Sequence, residues 1–201
     1  MKPTLKFLSA LMLGAALTTG CATTNDAPGQ VKAPAGMQKA PSNIEESEVV
    51  QAVSTHLGVT SESAASVVER LFREQGRPDA YITGEEGGGA VVAGLFWGKG
   101  TLWMKDGTSM PIYWQGPTIG FDGGLDASKV FTLVYNLDDP NYIFQRFPKA
   151  EGSAFLVAGM GVNYQRANGI TLAPIRTGVG VRLGANVGYS SYSRKRQILP
   201  F

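Results

Sequence analysis

Cysteine is almost missing from this chain. One residue, Cys21, occurs in 201, so no internal disulfide can form and the fold rests on its core alone. Histidine is equally scarce. His56 stands by itself, which excludes a Ser-His-Asp triad in the C-terminal part and any His-rich metal site. It reads as a residue of a helix surface or C-terminus rather than a catalyst. Excess charge is absent too. Without Lys2 and Lys6, sixteen basic residues face sixteen acidic ones. That balance argues against nucleic acid as a partner, since phosphate binding wants a basic surplus. The apolar stretch Phe7 to Leu17 falls well short of the roughly 20 residues a spanning helix needs.

What is present at the N-terminus has a pattern. Lys2 and Lys6 precede the apolar stretch, and Leu17-Thr18-Thr19-Gly20-Cys21 follows. This resembles the lipobox of bacterial lipoproteins, with Thr18 where Leu is usual. The resemblance implies a signal peptide over 1–20, lipidation of Cys21, and membrane attachment through acyl chains worth about 0.8 kcal/mol per buried methylene. Ala22, rather than Asp, follows the cysteine, which under the enterobacterial sorting rule implies the outer membrane. Residues 21–41 hold few large apolar side chains and read as a flexible tether. Residues 42–201 suit one domain with a real core.

Two amphipathic helices are expected first, over 42–76. Ser42 and Glu45 form a capping-box pattern. Ile44, Val50, Val53 and Leu57 recur at near-helical spacing, and Gly58 can cap the end. Thr60 or Ser61 can start the second helix, whose stripe is Ala64, Val68, Leu71 and Phe72 before Gly76 and Pro78. A helix-turn-helix and a pair packed on a following sheet are both compatible with this pattern. An exported chain meets no operator, which favours packing.

From residue 80 to 193 the pattern turns to strands. Segments rich in β-branched and aromatic residues lie at Ala80–Thr83, Ala90–Leu95, Gly100–Lys105, Met110–Gln115, Thr118–Asp122 and Val130–Asn136. They resume at Ser153–Gly159, Val162–Gln165, Ile170–Pro174, Val179–Leu183 and Ala185–Tyr192, after one or two helical turns within Asp139–Phe147. Asp106-Gly107 and Asn168-Gly169 are hairpin signals. The expected class is mainly β with N-terminal helices (α+β). About ten short strands form a small antiparallel barrel, closed or half-closed, behind a two-helix hairpin. A membrane-spanning barrel fails on length, because its strands need roughly nine to eleven residues.

The candidate chemistry is sparse. Glu85 and Glu86 stand in Thr83-Gly84-Glu85-Glu86-Gly87-Gly88-Gly89. Paired carboxylates, with Asp122, can do acid–base work or hold a hard cation, but adjacent strand residues point to opposite faces. A solvated turn is the simpler reading. The glycines lack the ending of a phosphate loop, and no motif calls for a cofactor. Trp97, Trp103, Tyr113 and Trp114, with Phe96 and Phe121, either line an apolar pocket or fill the barrel core. Arg176 and Arg182 lie in strand-rich sequence. They pair with Asp122, Asp126, Glu85 or Glu86, or bind an anionic head group.

Taken in order, several stretches resemble the alphaproteobacterial periplasmic family typified by envelope integrity protein A. They are 76–78 with 81–86, 113–117 with 119–122, 134–137, and 175–180 with 182–189. The likeness implies a small periplasmic β-barrel needed for resistance to envelope stress, without assigned enzymatic activity. Residues 89–134 and 152–161 are more loosely similar to the SYLF lipid-binding domain, which implies a lipid rather than a sugar ligand. The expected protein is a non-catalytic, periplasm-facing lipoprotein whose partners are the membrane and a lipid or envelope protein. A peptidoglycan- or lipid-modifying hydrolase using Glu85, Glu86 or Asp122 is the alternative.

Overall fold

The computed structural model describes residues 44–90, 93–119, 128–177 and 188–197. Cys21, Phe121, Asp122, Asp126 and Arg182, with the expected segments Val179–Leu183 and the tether, lie outside them. Helix α1 spans Glu46–Leu57 and α2 spans Ser61–Gln75. Gly58 ends α1 in the left-handed region, at φ 71° and ψ 36°, where a side chain would be strained. Thr60 caps α2, its Oγ1 accepting from the Ser63 amide at 3.2 Å. Ser42 of the expected capping box lies outside the described residues; α1 begins at Glu46, behind Glu45, without a side-chain cap. The Glu45 carboxylate accepts from Arg77 at 2.7 Å instead.

Eight strands follow among the described residues. They are β1 Ala80–Ala90, β2 Ala93–Met104, β3 Ser109–Ile119, β4 Ser128–Tyr135, β5 Arg146–Val157, β6 Met160–Ala167, β7 Ile170–Thr177 and β8 Tyr189–Ser193. A single 3-10 turn, Pro140–Ile143, precedes β5. Every neighbouring pair is antiparallel, and the order β1-β2-β3-β8-β5-β6-β7-β4 closes on itself. Closure removes exposed edges.

Several expected segments prove to be parts of longer strands. Ala93–Leu95, the end of one expected segment, and Gly100–Met104 of the next belong to one strand, as do Met110–Gln115 and the start of Thr118–Asp122. The glycine-rich stretch after Thr83 is not a turn but the second half of β1, paired residue by residue with β2. Strands of up to 12 residues also remove length as the argument against a membrane barrel. Polarity distinguishes the two instead. A spanning barrel is polar inside and apolar outside. Here a large apolar cluster fills much of the interior beside a few polar groups, and one outer face is covered by helices.

Alternation along the strands sorts two apolar clusters. Ala80, Ile82, Leu102, Ile112, Val130, Val134 and Leu172 point inward with Phe147 and Tyr192. Tyr81, Trp103, Phe131, Leu133 and Ile175 point outward, beneath Val49, Val53, Val67, Val68 and Leu71 of the helices. Each fully buried Val or Leu contributes about 1.5–3 kcal/mol, so this seam fixes the helical pair on the barrel wall. The pair is therefore a lid on the sheet, as the export pattern favoured. Tyr81 and Phe131 stack in the seam with centroids 5.4 Å apart. Polar contacts pin α2: Tyr164 donates to Glu74 at 2.8 Å, and the Arg70 guanidinium lies 3.7 Å from the centre of the Phe155 ring.

His56 fixes α1. Its Nε2 lies 3.1 Å from both the Gly84 and Val130 carbonyl oxygens, which face each other across β1 and β4. Carbonyls only accept, so Nε2 carries the hydrogen and shares it between them.

Candidate functional site

Glu86 follows Ile82 and Gly84 on the inward face of β1, and Glu85 faces the other way and is exposed. The two carboxylates do not converge. Arg176 points inward from β7, where it pairs with Val130 of the interior cluster. Its Nε donates to Glu86 Oε1, and its Nη2 donates to Oε2 at 3.1 Å. Trp114 of β3 donates its indole Nε1–H to the same Oε2, also at 3.1 Å. Three N–H groups from two strands thus converge on one carboxylate, with side-chain exposures of 12% for Glu86 and 24% for Arg176.

Glycine makes the geometry possible. A Cβ on Gly98 would sit 2.0 Å from the Trp114 ring, and one on Gly84 would sit 2.6 Å from it. These positions are glycine because the indole lies across them. The ring in turn covers backbone that glycine leaves bare, as aromatics do beside strand glycines.

Electrostatics follows from the pairing. Burial pushes the Glu86 carboxyl up, but the Arg176 charge and the hydrogen bonds of Arg176 and Trp114 outweigh it, and the group is held below the usual carboxylate range. Arg176 loses solvation yet is raised by Glu86. Lys149 of β5 senses both charges. Burial first, then Arg176, brings its ammonium down to about 8, with Glu86 opposing. Burial also pushes the Tyr192 hydroxyl up.

The expected site residues divide among three places. Glu86, Arg176 and Trp114 come together inside the barrel, so the pairing of Arg176 with Glu86 holds. Trp103 lies in the seam under the helices, donating to Thr83 Oγ1 at 3.0 Å. Trp97 and Tyr113 are half-buried on the outer face of β2 and β3. The aromatic segment is one wall of the barrel, but it is divided between its two sides. Lys149, Gln165, Ser190 and Tyr192 were not singled out by the sequence, because their inward direction follows from the pairing of distant strands. Among the described residues no group of three or more His, Cys, Asp or Glu could hold a metal ion. No described helix is long and apolar enough to cross a membrane.

A family model described as Envelope integrity protein A matches residues 42–201. The crystal structure of a beta-barrel-like, uncharacterized protein from Brucella abortus superposes with a TM-score of 0.72 at 43% identity, over 80% of this chain and 99% of that one. No curated protein matches.

Proposed function

Because the chain belongs to the envelope integrity protein A family, we propose that it is a non-catalytic, periplasm-facing lipoprotein. It is anchored to the outer membrane through Cys21, and its barrel supports the envelope under stress by holding a lipid or another envelope component. The family description supports a role in the cell envelope. The anchor rests on the lipobox-like sequence around Cys21.

One observation carries the non-catalytic reading. Among the described residues Glu86 is the inward carboxylate of the strands, and Arg176 and Trp114 occupy both its oxygens. A general acid or base needs a pKa near the working pH and a free path to the substrate proton. A carboxylate held ionised by a guanidinium has neither. Glu85 cannot serve as its partner, since it lies on the opposite face.

Complementation tests the reading in cells lacking the endogenous chain. A Glu85→Gln form should restore survival under detergent stress to the native level, whereas a hydrolase dependent on Glu85 would lose it. Fractionation tests the anchor. Cys21→Ser should shift the protein from the membrane pellet to the soluble periplasmic fraction, and a variant that stays in the pellet would rule out lipidation as the attachment.

A further inference from the structure

Three side chains turn polar atoms into the barrel without the partners that burial requires. Gln165 is 0% exposed, and neither its Nε2 nor its Oε1 has a hydrogen-bond partner. Ser190 is 1% exposed with Oγ unpaired, and Asn163 Oδ1 is buried and unpaired as well. Register fixes where they point, because directly opposed residues share a face. Gln165 stands between Lys149 and Leu172, and Ser190 stands opposite Phe147. Leu172 and Phe147 belong to the interior cluster. Asn163 is two residues from Gln165 on β6 and shares its face. A packing role alone would be served by apolar side chains here.

Charge points the same way. Glu86 and Arg176 pair with each other, which leaves the inward Lys149 ammonium without a carboxylate partner among the described residues. Among the described residues it forms no salt bridge. The charged groups that act on it are Arg176 from β7 and Glu86 from β1. The Arg176 and Glu86 side chains beside it are themselves 24% and 12% exposed.

We propose that this cluster of inward polar groups binds a small acid that also carries hydroxyl groups, such as a uronic sugar. The acidic group lies against Lys149 Nζ, Ser190 Oγ and the Gln165 Nε2, and a hydroxyl donates to Gln165 Oε1 and Asn163 Oδ1. The unpaired set contains both donors and acceptors. A bare anion satisfies only the donors, and a neutral sugar leaves the ammonium uncompensated. The inference rests on reading the barrel as a binding module and specifies what it holds. The acid is either free or the head group of a membrane glycolipid.

Isothermal titration calorimetry of the full chain tests this at pH 7, with galacturonate, galactose, inorganic phosphate, and vesicles carrying a glucuronosyl lipid. Galacturonate or the vesicles should bind at least tenfold more tightly than galactose or phosphate, and Lys149→Met and Gln165→Leu should each weaken that binding at least tenfold. Binding of galacturonate assigns a free acid; binding of the vesicles alone assigns a head group. A second readout needs no variant. The Lys149 ammonium, followed by NMR, should titrate at higher pH when the acid is bound. No heat with either acid and an unmoved Lys149 titration would leave the unpaired groups to ordered water and overturn the proposal. That failure would not touch the non-catalytic reading, which the Glu85→Gln cells report separately.

Discussion

Trp114 donates its indole N–H to Glu86 at 3.1 Å from a strand 28 residues further along the chain, and both side chains point into the barrel. The hydrogen bond completes a carboxylate that Arg176 already grips with two N–H groups. Charge-assisted contacts of this kind are roughly twice as strong as neutral ones. They tie β1, β3 and β7 together at one end of the interior.

Removing one charge from that set should be costly. Glu86→Gln leaves the Arg176 guanidinium inside the barrel without its counter-ion. Breaking a buried pair costs about 3–5 kcal/mol, and the partial exposure of both side chains brings the expectation to about 2–3. The pH dependence has a definite sign. The folded pKa of Glu86 lies below its ordinary value of 4.5. Its contribution is complete above that value and is lost as pH falls through the folded pKa. Urea melts from pH 7 downward should show this acid loss in the native chain and a smaller one in Glu86→Gln.

Gly98→Ala tests the glycine cradle. The added methyl would sit 2.0 Å from a ring atom of Trp114, and a rigid indole cannot yield locally. Overpacking of this kind costs about 1–3 kcal/mol. A lower melting temperature and altered tryptophan fluorescence are expected together. Native stability with an unchanged spectrum would mean that the indole does not lie on Gly98.

The His56 contact gives a third expectation. His56→Ala removes a donor shared by the Gly84 and Val130 carbonyls. Loss of about 1–2 kcal/mol is expected. Hydrogen exchange should rise in α1 more than in β6, because the contact joins α1 to β1 and β4.

How legible was this in the sequence? The helices and both hairpins were, because Gly58, Thr60, Asp106-Gly107 and Asn168-Gly169 act through local backbone chemistry. Gly107 and Gly169 adopt φ of 92° and 83°, as hairpin turns require. The strand lengths were not. Gly84, Gly98 and Gly116 looked like breaks, since glycine weakens a strand. They are strand residues because Trp114 and Phe96 fill the space beside them, and those rings lie on other segments of the chain. The site shows the same divide. Alternation told Glu85 from Glu86, but the pairing of Glu86 with Arg176 spans 90 residues. The inward direction of Lys149, Gln165 and Ser190 depends on barrel register, which no local window contains.

The most direct test of the non-catalytic reading removes both charges at once. Glu86→Leu with Arg176→Met replaces the pair by apolar groups of similar reach, a change that is often neutral or stabilising. It deletes the one inward carboxylate of β1 and leaves Lys149 in place. Survival of cells under detergent stress, with the folded state confirmed by circular dichroism, is the measurement. Full rescue by the folded double variant is expected, because the pair serves structure. A folded double variant that fails to rescue would contradict that assignment and return Glu86 to the chemistry.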